Sequence, residues 1–209
     1  GIPFVTFEAI RSYTDEENIL TKPNNEPYEM QGYYNIISYV REHLLNVAIN
    51  RLKVDWEYVA WIDAHQIFDN IFWWEEAIHK AEHHTMVQLF DDAIRFDGNN
   101  KTVIFRAGFF KLTYQMQNIN EVNVGVEFGN AHMLSRDSYY NKIGYIHDEC
   151  FASGCDLAYG QAAMPKGTLY TLEPGWKHYN TTHQEWVARV KPKVNGSRAY
   201  VAGNVYHLD

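Results

Sequence analysis

Cysteine is scarce in this chain, and so is positive charge. Cys150 and Cys155 are the two cysteines among 209 residues, too few for a disulfide framework, so a cross-linked secreted scaffold is excluded and a reducing compartment is the default. Lys and Arg total 18 against 26 Asp and Glu, a formal net charge of −8, and they form no long basic run. A nucleic-acid backbone or an anionic membrane surface is therefore a poor main partner, and a phosphate-bearing ligand needs a metal or a local cluster of donors to meet it. No apolar stretch approaches the ~20 residues of a membrane span. The opening GIPFVTFEAI has no basic segment followed by an apolar one, so the expected location is cytoplasmic, with no membrane span and no nucleic-acid partner. Repeats and low-complexity tracts are missing as well.

What is present suits one sizeable core. With 46% hydrophobic residues, residues 1–209 are expected to form a single domain, standing at the amino-terminal part of a longer protein. PFVTFEAI reads as a buried strand, and the polar stretch from Thr14 to Gln31 reads as a long loop. In YYNIISYVREHLLNVAINRL, the apolar residues Ile36, Ile37, Val40, Leu44, Val47, Ala48 and Leu52 form one helical stripe facing a sheet. EYVAWI is the next strand. Asp69 or Asn70 caps a helix running through Glu82 with Phe72, Trp73, Ala77 and Ile78 inward, and TMVQLF returns as a strand. This alternation predicts an α/β fold with a mainly parallel sheet flanked by helices. Residues 102–128 read as strands joined by polar turns that add antiparallel members.

Chemistry concentrates in WIDAHQIFDN, residues 61–70. In such sheets ligands bind beyond the carboxyl ends of the strands, where Asp63-Ala64-His65 falls with EYVAWI as a central strand. Residues two apart in extended chain point the same way, so Asp63 and His65 can converge on one cation. A carboxylate and an imidazole suit Mn²⁺, or Mg²⁺, with nitrogen favouring Mn²⁺. Asp156 follows Ser153-Gly154-Cys155, where a carboxylate can take a hydroxyl proton or orient a sugar; an ordinary helix cap is the plain alternative. Trp176, His178 and Tyr179 are candidates for stacking on sugar rings. His79 and His83 are four apart on a predicted helix without the H-E-x-x-H glutamate, and they read as solvated surface. Cys150, Cys155 and His147 lack the second paired cluster of a zinc site.

WIDAHQIFDNIFWW resembles the D-x-D or D-x-H segment of the GT-A-type nucleotide-sugar glycosyltransferases, in its histidine form. REHLLNVAIN, with Arg41 and Asn46, is similar to the helix preceding that strand in the family. GNAHMLSRDSYYNKIGYIHDECFASGCDLAYGQA resembles its acceptor-side pattern, with Gly129, Arg136, Gly144, Asp148, Glu149, Gly154 and Asp156 in place. Cys155 departs from it, standing where many inverting members have Glu, so the retaining or inverting course stays open. The likeness runs from about Pro3 to His207 and is nearest to the amino-terminal domains of chlorella virus-encoded members.

The resemblance implies a GT-A-like, Rossmann-like fold and an Mn-dependent enzyme. It would transfer a hexose or deoxyhexose, of glucose or rhamnose type, from a UDP-sugar to a glycan acceptor, a capsid glycoprotein among the candidates. It further implies that Thr6, Arg41, Asp63 and Gly154 contact the nucleotide-sugar and that Asp156 is catalytic. Asp63, His65 and His207 would hold the metal, the last as the histidine that many members supply near the domain's end. Two other readings stay open: a metal-dependent hydrolase of a phosphorylated or glycosidic substrate, and a non-catalytic sugar-binding module.

Overall fold

The structure is a computed structural model, and it describes residues 5–10, 29–33, 41–52, 54–96, 101–115, 126–129, 131–148, 155–164 and 177–208. The chain begins with β1 (Thr6–Ile10) and β2 (Glu29–Tyr33), which pair in parallel, followed by α1 (Arg41–Arg51). Next come β3 (Tyr58–Ile62), β4 (Gln66–Phe68), α2 (Trp73–His83), β5 (Met86–Gln88) and β6 (Asp92–Phe96). They lead into β7 (Thr102–Gly108), α3 (Phe109–Gln115), β8 (Val126–Glu127), β9 (Ala131–Ser135) and a π-helical segment at Ser138–Ile143. The chain then runs through α4 (Cys155–Ala163), α5 (Lys177–Val194), β10 (Arg198–Tyr200) and β11 (Asn204–His207).

Strand alternation builds the core on both faces of a four-stranded sheet ordered β10-β5-β9-β3. Met86, Leu134 and Trp61 pack with Ile49 of α1, Phe110 of α3, Ala158 of α4 and Val187 of α5. Their neighbours in sequence, Val87 and Met133, turn the other way, toward Ala77 and Ala81 of α2 and Val205 of β11. That reversal is the two-residue period of a strand with core on each side. A five-stranded sheet, β4-β11-β6-β7-β8, extends beside it. No helix is long and apolar enough to cross a membrane among the described residues.

The α/β class and the flanking helices agree with expectation, whereas the mainly parallel sheet is corrected. β10 and β5 are parallel, but β9 is antiparallel to both β5 and β3. In the second sheet β6 and β7 are antiparallel, joined by a connection too short for a crossover helix. β3 and β5 do run in the same direction, as strand-helix-strand alternation requires, with β9 from far along the chain inserted between them. β3 is consequently an edge strand among the described residues, not a central one.

Three local expectations also change, the first being that Glu29, Met30 and Gln31, expected to close the long loop, belong to β2. Residues 109–115 are helix rather than strand, because the buried Gln88 side chain accepts from the Phe110 amide at 3.0 Å and satisfies the start of α3. On α1 the buried positions are Glu42, Asn46 and Ile49, and the expected inward residues Leu44, Val47 and Ala48 are only half-buried. Asn46 explains the rotation. Its side chain donates to the Ile146 carbonyl at 2.7 Å and accepts from the Ile146 amide at 2.9 Å and the Tyr139 hydroxyl at 3.1 Å. A buried amide so fully bonded overrides an apolar stripe.

Candidate functional site

β3 delivers Asp63 at its carboxyl end, and the turn at Ala64-His65 leads straight into β4. β11 then comes back from the far end of the chain and lies antiparallel to β4, with His207 opposite Gln66. The Leu208 amide donates to the His65 carbonyl at 3.0 Å. Asp69 fixes the register: its carboxylate accepts from the Asn204 amide and side chain at 2.7 Å each, and its own amide donates to the Asn204 carbonyl at 3.1 Å. Gly203 enters that turn at φ +112°, a conformation that favours glycine. Asp69 therefore clamps β11 instead of capping α2. Asn70 forms the turn ahead of the helix, its Oδ1 accepting from the Phe72 amide at 3.0 Å.

This pairing brings His65 Nε2 to 2.5 Å from His207 Nε2, with ring centroids 3.9 Å apart. Two imidazole nitrogens at that separation share a proton, since two lone pairs cannot face each other bare and two nitrogen ligands of one divalent ion would stand about 3 Å apart. Asp63 is not drawn into the pair. Among the described residues, the three-residue group of possible metal ligands with all ligand atoms within 4.8 Å is His79, Glu82 and His83 on α2. The Asp63 carboxylate is held elsewhere.

Arg41, at the start of α1, holds it. One guanidinium nitrogen donates to Asp63 Oδ1 and Oδ2 at 3.0 and 3.1 Å, and the other donates to Asp156 Oδ1 at 2.6 Å and lies 2.8 Å from Glu42 Oε1. Three carboxylates thus face one fixed positive charge. Withdrawal from water, then the charges of Asp63 and Glu127, push the Asp156 carboxyl above its ordinary range against the opposing pull of Arg41. Burial, with Asp156 nearby, raises Glu42 similarly, Arg41 again opposing. Gly129 makes room for Asp156: a Cβ there would sit 2.4 Å from Asp156 Oδ2.

No family model, curated protein or solved structure matches this chain. The site must be read from its own geometry. Thr6 opens β1, on a strand that lies against α1. Gly154, Glu149, Cys150 and Trp176 lie outside the described residues, as do the side chains of His178 and Tyr179. Arg136 is structural: its amide donates to the Glu57 carbonyl at 2.7 Å, and its guanidinium pairs with Asp55 and lies over Trp56. Gly144, at φ +85°, ends the π-helical segment. Asp148 accepts from Asn46 at 3.1 Å and lies 3.2 Å from His43 Nδ1. His43, Asn46, Asn50, Tyr145 and Asp148 line much of a groove of about 570 Å³ beside α1.

Sequence reasoning passed over Glu42, Gln88 and Glu127. Their acidity or polarity was visible, but the burial that makes them notable comes from elements far away in sequence.

The imidazoles of His65 and His207 are the part of the expected donor set that comes together; Asp63 is held by Arg41 and forms no close group of ligand atoms with them.

Proposed function

We propose that this chain is a metal-dependent glycosyltransferase that moves a hexose or deoxyhexose from a UDP-sugar to a glycan acceptor. The observation that carries the reading is the approach of His65 and His207 at one end of β3, beside an Asp63–Arg41–Asp156 chain. His65 and His207 would hold the ion, Mn²⁺ by preference over Mg²⁺, with Asp63 joining once its hold on Arg41 loosens. When bound, such an ion neutralises the charge that develops on a departing diphosphate.

The protein's own groups do the rest. Arg41 ties Asp63 to Asp156 in the ion-free chain and, once Asp63 turns to the ion, keeps Asp156 in place. Asp156, raised in pKa, would take a proton from an acceptor hydroxyl at Oδ2, the oxygen that Arg41 does not hold and that lies against Gly129. The groove beside α1, mainly apolar but edged by the amides of Asn46 and Asn50, the imidazole of His43 and the carboxylate of Asp148, would receive the acceptor.

A thermal-shift panel tests the reading: UDP, GDP, UDP-glucose, UDP-rhamnose and free sugars, each with and without Mn²⁺. A ligand at a hundred times its Kd adds about 2.7 kcal/mol of stability. UDP and a UDP-sugar should stabilise the chain only with Mn²⁺. Sugar binding indifferent to chelator would replace the proposal with a binding module, and donor breakdown at full rate whether or not an acceptor is present would replace it with a hydrolase.

A further inference from the structure

A second group of converging ligand atoms lies on the outer surface of α2. We propose that His79, Glu82 and His83 form a separate metal site for a borderline divalent transition ion, with Zn²⁺ as its representative. One ligand atom from each lies within 4.8 Å of the others, and all three residues are exposed. Positions i, i+3 and i+4 share one helical face, so the backbone of α2 sets the arrangement before any ion arrives. His79 Nδ1 lies 3.4 Å from Glu82 Oε2, and the two imidazoles stand 5.6 Å apart with planes at 87°.

The surroundings favour a cation there. The three residues occupy the last turns of α2, where the carbonyl end of the helix attracts positive charge. Lys80, the nearest competing cation in sequence, is turned to Glu76 at 3.1 Å. A missing H-E-x-x-H glutamate excludes the metalloprotease arrangement but not a metal, since Glu82 supplies its carboxylate from another position on the same face.

Donor chemistry sets the ion. Two imidazoles and one carboxylate rank Zn²⁺, Ni²⁺ and Cu²⁺ above Mn²⁺, and they suit Mg²⁺ poorly. Three protein ligands leave a tetrahedral ion one position open to solvent, which water or a donor on another molecule completes. This site shares no residue with His65 and His207 and does not depend on the glycosyltransferase reading.

Calorimetric titration with ZnCl₂ tests it in the His65→Gln/His207→Gln background, which removes the other histidine pair. One Zn²⁺ per chain is expected. His79→Gln and His83→Gln should each weaken it by at least about tenfold, and Mn²⁺ should bind at least about a hundredfold more weakly than Zn²⁺. All three side chains are exposed, so circular dichroism should be unchanged by the substitutions. No saturable Zn²⁺ binding in that background, or single variants that bind Zn²⁺ as tightly as the background itself, overturns the proposal. The Mn²⁺-dependent UDP response of the parent chain is unaffected by either result, so the two readings stand or fall separately.

Discussion

Two opposed forces act on Asp156 within one short radius: desolvation with the charges of Asp63 and Glu127 on one side, and Arg41 at 2.6 Å on the other. The first wins, so the carboxyl titrates above its usual 3.8. If its ionised form takes the acceptor proton, transfer must fall on acidification at a pH above that value. Arg41→Met removes the pull that favours the ion and should move the acid limb of the pH–rate profile upward; an unmoved limb would separate Asp156 from the titration. Asp156→Asn should reduce turnover by about 10²- to 10⁴-fold, with UDP affinity nearly unchanged. For the ion itself, Asp63→Ala, His65→Ala and His207→Ala should each weaken Mn²⁺-dependent UDP binding by roughly tenfold or more, with circular dichroism unaltered. Parent-like affinity in the His65 and His207 variants, read by titration calorimetry, sinks the metal assignment. The convergence expected of Asp63 and His65 rests on a local relation, two residues apart at the end of an apolar strand, whereas the structure gives Asp63 to Arg41 and His65 to His207. Arg41's role as a bridge was not legible, because its two partners lie 22 and 115 residues away.

Elements brought these residues together by routes that periodicity reads unevenly. The strand-helix-strand order from β3 through α2 to β5 was plain, and those strands do run the same way. AHMLS as β9 was harder: nothing within five residues tells a strand that it will insert antiparallel between two earlier ones. The apolar stripe on α1 misled for a different reason, since Glu42 and Asn46 occupy buried positions that a core would give to aliphatics. Polar residues on an inward face are where a site departs from packing rules. The loop between β8 and β9 makes this testable. A Cβ at Gly129 would meet the far end of the Asp156 side chain, not backbone, so Gly129→Ala should displace that carboxylate while costing less than about 1 kcal/mol of stability. Turnover should fall at least about tenfold, with the thermal midpoint nearly unmoved. A large loss of stability with normal turnover in the remaining folded protein would make Gly129 a packing residue only.

Across the whole molecule, acid sensitivity should trace to the centre of the four-stranded sheet. His132 sits on β9 between β3 and β5, 2% exposed, with Trp61, Phe110 and Tyr159 around its ring and its Nε2 at 2.9 Å from the Phe128 carbonyl. Burial pushes its pKa down from 6.5 to about 4. A histidine depressed in the folded state binds fewer protons than in the unfolded chain between those two values. Its contribution is therefore intact above pH 6.5 and is lost as pH falls through this window, amounting to about 3 kcal/mol by pH 4 at 1.36 kcal/mol per unit. Asp156 and Glu42, raised rather than lowered, push the other way, so the comparison must isolate His132. His132→Phe keeps an aromatic ring among its aromatic neighbours and removes the titration; it sacrifices the hydrogen bond to Phe128 at every pH. Urea unfolding at pH 7 and pH 5 should show the parent chain losing about 2 kcal/mol more than the variant over that interval. Equal losses in both would assign the acid sensitivity to other groups and show that His132 charges without opening the core.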